Sequence, residues 1–259
     1  MGLMDRHAAG TVCWAELATG DPEGAKRFYR GLFGWDLEDV PIGDGALYTM
    51  ARLQGLDAAA LYQPGGDVFR KPARWRIHVS VPDADAAARR ALDRGARTPI
   101  APAEVAGAGR FALVRDPAGA HLGIWQAQGH IGAEVMGIPG ALAWAELVAR
   151  DVEGARRFYA DWLGWDMRLM EPGGYALFLK EGRPVAGMVR MEEEPPGAEA
   201  HWRVYFQTAD CGASSEKARG LGGSCRMPPT RIPGVGTVAL FADPQGGVFS
   251  LLQAASGTG

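Results

Sequence analysis

The sequence predicts an α+β protein made of four βαβββ modules arranged as two tandem domains. An internal duplication points to this. So do alternating apolar stretches that each lead into an amphipathic helix, and the Asp and Gly signals that start and stop those helices. Residues 12–35, VCWAELATGDPEGAKRFYRGLFGW, return as 142–165, LAWAELVARDVEGARRFYADWLGW, at an offset of 130 with 13 of 24 positions identical. Later landmarks repeat at an offset of 127: Trp75-Arg76 as Trp202-Arg203, and Asp116-Pro117 as Asp243-Pro244. Two copies at so long a period make a duplicated domain rather than a solenoid. The domains are placed at 8–128 and 141–255, with 129–140 as the linker.

Each copy reads in the same order. Over residues 12–18, Val12, Trp14 and Glu16 fall on one face and Cys13, Ala15 and Leu17 on the other, which is strand period. Asp21 then caps a helix whose first position is Pro22. Ala25, Phe28, Tyr29, Leu32 and Phe33 form its apolar stripe, and Gly34 ends it. Asp151, Ala155, Phe158, Tyr159, Trp162, Leu163 and Gly164 repeat that plan. Two or three short strands are expected around 46–62 and again around 174–191. A second unit opens where Trp75, Ile77, Val79 and Val81 alternate with Arg76, His78 and Ser80. Asp83 caps the following helix, which carries Ala87, Ala88, Ala91 and Leu92 and stops at Gly95; strands near 110–115 and 120–126 close the domain.

Composition narrows the function classes. The 259 residues are 47% hydrophobic and 22% charged, an ordinary globular balance. With 27 basic against 30 acidic residues, the net charge of −3 argues against a nucleic-acid binder. The chain contains no apolar run of about 18 residues, the minimum for a membrane-spanning helix, so no membrane partner is expected. Residues 1–10 include Asp5, Arg6 and His7 and lack an apolar stretch, so no signal peptide is expected. Three sparse cysteines without a CxxC pair suit a reducing, cytoplasmic setting.

The Asp-x-x-x-Ala-x-x-Phe-Tyr helices running into Gly-Trp, at Asp21–Trp35 and Asp151–Trp165, and the Asp-Pro-x-Gly segments at Asp116–Gly119 and Asp243–Gly246 resemble the vicinal oxygen chelate superfamily. That superfamily holds glyoxalase I, bleomycin-resistance proteins and extradiol dioxygenases. More narrowly, the pattern resembles its tandem two-domain actinobacterial members, often labelled hydroxylases. The resemblance implies an open β-cup formed by two modules, with a divalent metal held on the first and last strands of the modules. The matching positions here are Trp14, Arg76 and Gly123 in one domain, and Trp144, Arg203 and Ser250 in the other. Trp offers no lone pair and Arg repels a cation, so no metal is expected there. A fourth position, near Ala60 and Met188, offers no carboxylate either. A relocated set of Glu16, His78 and His121 on the cup face is the alternative for Fe, Mn, Ni or Zn.

The cup faces therefore carry the candidate chemistry. Glu16 and Glu146, with His78 and Tyr205, are the candidate acid–base residues. Trp14, Arg76, His121, Trp125, Trp144, Arg203 and Gln207 are the candidate ligand-binding residues. Two Trp walls with one Glu and one Arg per cup suit an aromatic or amphipathic small molecule, with Arg anchoring an acidic group. The expectation is a metal-independent small-molecule binder. The alternatives are a metal-independent hydroxylase, isomerase, cyclase or lyase of secondary metabolism acting through a cup Glu, and an interaction protein with vestigial cups. A homodimer, and exchange of modules between domains, are both left open.

Overall fold

The computed structural model describes residues 2–43, 46–65, 72–170, 174–192 and 198–255. The segments 192–196 and 70–74, which the sequence suggests are solvated loops, fall partly outside them, at 193–196 and at Arg70-Lys71. The first domain runs β1 (Val12–Ala18), α1 (Pro22–Phe33), β2 (Asp36–Pro41), β3 (Leu47–Leu53), β4 (Leu56–Tyr62), β5 (Arg74–Ser80), α2 (Ala84–Leu92), β6 (Arg97–Val105), β7 (Gly109–Arg115) and β8 (His121–Ala127). The second runs β9 (Leu142–Ala149), α3 (Val152–Leu163), β10 (Asp166–Met170), β11 (Tyr175–Lys180), β12 (Arg183–Arg190), β13 (His201–Gln207), α4 (Cys211–Gly220), β14 (Ser224–Ile232), β15 (Gly236–Ala242) and β16 (Val248–Ala254). This is four βαβββ modules, as the repeat predicts.

Each domain forms one curled eight-stranded sheet, ordered β2-β3-β4-β1-β5-β8-β7-β6 and β10-β11-β12-β9-β13-β16-β15-β14. The two modules of a domain meet at the antiparallel β1–β5 or β9–β13 pair, so each cup is built from its own domain and no module is exchanged. The outer strands β2, β6 and β10 are mostly exposed edges without apolar alternation, which is why the sequence signals them weakly.

The helix caps follow the sequence. The Asp21 and Asp151 carboxylates each accept from an amide three residues on, Gly24 and Gly154, at 2.8 Å. Gly34 and Gly164 end α1 and α3 at φ of 74° and 67°, a left-handed turn that glycine adopts without strain. Among the described residues, no helix is long and apolar enough to cross a membrane.

The domains join through a duplicated relay. Trp75 Nε1 donates to the Tyr29 hydroxyl at 2.8 Å, and that hydroxyl donates to Asp243 of the other domain at 2.8 Å. Reciprocally, Trp202 Nε1 donates to Tyr159 at 3.1 Å and Tyr159 donates to Asp116 at 2.9 Å. Both aspartates are buried and also accept backbone amides, from Gly247 and from Ala120. A second reciprocal pair reinforces the first. Trp35 Nε1 donates to the carbonyl of Gly140 at 2.8 Å, and Trp165 Nε1 to that of Gly10 at 2.7 Å. Around these bonds α1 packs on α4 and α2 on α3.

Replacing Tyr159 with Phe keeps the ring and leaves the buried Asp116 carboxylate and Trp202 N–H each short of a partner. At about 1–3 kcal/mol per buried group left unpaired, the variant is expected to lose several kcal/mol in urea denaturation. An exposed substitution such as Arg156→Gln is expected to stay within about 0.5 kcal/mol.

Candidate functional site

The concave face of each sheet is set by strand alternation. In the first domain β1 presents Trp14 and Glu16, and β5 presents Arg76, His78 and Ser80. Trp75, Ile77 and Val79 pack under the helices instead. Register places Glu16 opposite Arg76 and Trp14 opposite His78. On β8, Gly123 lies beside His78 and Trp125 beside Ser80.

At the centre of this cup is a buried polar cluster around Glu16. The Tyr48 hydroxyl donates to Glu16 at 3.0 Å and accepts from Trp14 Nε1 at 2.9 Å. His78 Nε2 stands 3.4 Å from Glu16 and Arg76 Nη1 stands 3.9 Å away. Both contacts are electrostatic rather than formed hydrogen bonds, and neither ring nitrogen of His78 has a hydrogen-bond partner among the described residues. Arg76 donates to the Tyr62 hydroxyl. Burial pushes the Glu16 carboxyl up, but His78, Arg76 and Tyr48 outweigh it and hold the group below its usual range.

The second cup repeats the plan with different partners. Glu146 is buried and accepts from Tyr205 at 2.8 Å and from Arg203 Nη1 at 3.3 Å. Trp144 Nε1 donates to the Tyr175 hydroxyl at 3.0 Å. Here a tyrosine stands where the first cup has His78. Burial dominates, Arg203, Tyr205 and Tyr175 offset it only in part, and the Glu146 carboxyl is raised.

The positions that would hold a metal in a vicinal oxygen chelate cup do not suit one. Arg76 and Arg203 bring a positive charge to each site. The ring of His78 lies against Gly123 so closely that a Cβ there would fall 2.7 Å from Nδ1, leaving no room for a carboxylate side chain. In the second cup, Gly187 stands next to Met188 and opposite Glu146, and a Cβ there would fall 2.0 Å from the Tyr175 hydroxyl. Of the relocated set, Glu16 and His78 come together, whereas His121 faces a cavity between the domains. Among the described residues, no three His, Cys, Asp or Glu side chains are grouped to hold a metal ion.

The two tryptophan walls differ in access. Trp14 is 3% exposed. The His130 ring meets it edge-on at 4.8 Å, and the His130 carbonyl accepts from Trp125 Nε1 at 2.8 Å. The following linker is pinned where Ala133 N donates to the Cys13 carbonyl at 2.8 Å. Trp144 is half-buried and lines a cavity of about 800 Å³ with Met4, Met136, Leu142, Lys180 and Arg183. Gln207 is half-buried on β13; its main chain bonds to Gly140 at the end of the linker and to Ala141 just after it.

Sequence reasoning did not single out Tyr48, Tyr62, Tyr175, Phe111 or His130. Tyr48 and Tyr175 stand at the 127-residue offset on strands whose faces the sequence leaves unassigned, and that repeat was the available signal. Phe111 meets His78 at 5.2 Å across two strands, and His130 arrives from the linker; no local pattern marks either.

The opposite shifts of the two carboxyls predict opposite stability effects. A raised carboxyl binds its proton more tightly when folded, so stability falls as pH rises from the usual carboxylate range through the raised folded value. Glu146→Gln is expected to remove that fall. Glu16 is lowered, so its contribution is present above the usual range and lost as pH drops through the lower folded value; Glu16→Gln removes that acid-side loss. Urea midpoints for both variants and the parent from pH 3 to 8 check the two slopes.

Comparison with known proteins agrees with this architecture. Residues 141–251 match the Glyoxalase/Bleomycin resistance protein/Dioxygenase superfamily model, and residues 14–124 match a Glyoxalase-like domain model. "Putative glyoxylase CFP32" of Mycobacterium tuberculosis is 38% identical, over 98% of this chain and 99% of its own length. "Anthracycline biosynthesis protein DnrV" of Streptomyces peucetius is 34% identical, over 98% and 97%. The Mn(II)-bound glyoxalase from Novosphingobium aromaticivorans shares the fold at a TM-score of 0.65 and 15% identity, covering 98% of this chain and 83% of that one.

Proposed function

The chain belongs to the glyoxalase/bleomycin resistance protein/dioxygenase superfamily, and from that starting point we propose that it is a metal-independent small-molecule binding protein. Its ligand is aromatic or amphipathic and sits against Trp144. The observation that carries this reading is the asymmetry of the two tryptophans: the linker seals Trp14, while Trp144 is half-buried on a cavity of about 800 Å³ that also reaches the N-terminal segment. That volume falls in the range of small-molecule sites, about 300–1,000 Å³. The lining suits a flat amphipathic compound: Trp144 offers a stacking face, Met4, Met136 and Leu142 an apolar wall, and Arg183 a partner for an acidic or phenolic edge, beside Glu181 and Lys180, whose Nζ donates to the Leu163 carbonyl. The name of the Streptomyces peucetius relative supports a polycyclic aromatic class. Metal independence rests on the arginines at the ligand positions, on Gly123 crowded by His78, and on Gly187, next to Met188, crowded by Tyr175. The three free cysteines accord with a cytoplasmic setting.

Isothermal titration with a hydroxylated anthraquinone tests the reading. The parent is expected to bind, Trp144→Ala to weaken binding at least tenfold, and Trp14→Phe to change it less than twofold. Equal loss in both variants, or no binding by the parent, overturns it. Binding is also expected to be unaffected by dialysis against EDTA.

A second reading, an acid–base enzyme working through Glu146, is favoured by one observation. The raised carboxyl of Glu146 is linked through the Tyr175 hydroxyl to the Trp144 wall of that cavity. Turnover of the bound compound that Glu146→Gln abolishes without loss of binding would establish it.

A further inference from the structure

A second cavity, of about 580 Å³, lies between the two domains and is lined by residues of both. Arg74, Arg76 and His121 come from the first domain; Arg203 and Arg226 come from the second. Arg76 and Arg203 are half-buried, and each stands beside the glutamate of its own cup. Arg74 and Arg226 are exposed and form no ion pair among the described residues. Among the described residues, the carboxylate in the lining is Glu199, which pairs with Arg115. Arg203 keeps a buried Nε with no hydrogen-bond partner among the described residues. Burial lowers the pKa of His121; Arg74, Arg115 and Arg76 lower it further, and Glu199 opposes them.

The walls are fixed rather than loose. Ala73 N donates to the Gln245 carbonyl at 3.0 Å, and Ala200 N reciprocally to the Ala118 carbonyl at 3.3 Å. Close approach is possible because the Asp-Pro-x-Gly turns present glycine to the opposite domain. A Cβ on Gly119 would fall 3.0 Å from Glu199 Cβ, and one on Gly246 would fall 3.1 Å from Pro72 Cβ. The domain contacts therefore fix the strand starts that carry Arg74, Arg76 and Arg203 beside this space.

We propose that this interdomain cavity binds an organic oxyanion carrying a double negative charge, a phosphate monoester or a dicarboxylate. Guanidinium groups match both chemistries, offering paired parallel N–H donors to two oxygens of one group. The volume exceeds a bare ion, so the anionic group is attached to a small organic body. The exposed Arg74 and Arg226 collect the anion at the mouth, and Arg76 and Arg203 contact it deeper. The site is separate from the Trp144 cavity and does not depend on the reading given for it.

The test is isothermal titration of the full chain at low salt with phenyl phosphate, with phthalate and with neutral benzyl alcohol. Either anion is expected to bind, weakening as salt is raised, and benzyl alcohol is not. The anion that binds more tightly identifies the preferred group. The double variant Arg74→Gln/Arg226→Gln is expected to weaken binding at least tenfold with its melting temperature unchanged. Arg156→Gln, a surface arginine on α3, is the control for general charge and is expected to change it less than twofold. The proposal is overturned if neither anion binds, if benzyl alcohol binds equally well, if the double variant stays within twofold of the parent, or if the control loses as much as the double variant.

Discussion

A tyrosine hydroxyl from each domain reaches into the other and donates to a buried aspartate, while a tryptophan of its own domain donates to it from behind. Each aspartate is at once the organiser of its Asp-Pro-x-Gly turn and the acceptor for the neighbouring domain. The turn cannot relax without loosening the domain contact, and the contact cannot open without stranding a buried carboxylate. The starts of β5 and β13, with their arginines, are positioned by this arrangement. The polar centres of both cups and the walls of the interdomain cavity thus inherit their geometry from one repeated hydrogen-bond relay.

Against that shared frame the cups have diverged in a physically legible way. Both keep a Trp, a Tyr, a Glu and an Arg in the same relation. Exchanging His78 for Tyr205 removes a group that attracts the carboxylate and supplies a neutral donor instead. Burial raises both carboxyls; the His78 contact is the largest influence opposing it at Glu16, and the two glutamates lie on opposite sides of their usual range. A duplicated constellation need not carry duplicated chemistry when one neighbour differs.

The fold was legible because the repeat is written in residues with strong local signals: the capping aspartates, the left-handed glycines and the apolar stripes of α1 and α3. Several of the same landmarks, Tyr29, Trp35, Trp75, Asp116 and their copies, serve the domain contact. The repeat therefore advertised the interface more loudly than the site. The face of each central strand, and with it Glu16, Arg76, His78, Glu146 and Arg203, followed from alternation alone. The remainder depended on contacts between elements distant in the chain. Tyr48 reaches Glu16 from β3, Tyr62 reaches Arg76 from β4, and His130 folds back from the linker. The interdomain cavity has no local signature, because it exists only once the two halves are set against each other.

The linker carries a consequence of its own. Two fused copies of a domain have one joining segment between them, so the halves cannot experience identical surroundings even when their sequences begin identical. Here that segment lays His130 over the first tryptophan wall and pins Ala133 to β1. Covalent fusion by itself thus breaks the equivalence of the two cups before any residue inside them changes. From that moment a mutation in one cup is no longer seen by the same surroundings as its twin in the other. A gene duplication that preserves the frame can in this way hand one half a closed structural role and leave the other free to be shaped by what it meets.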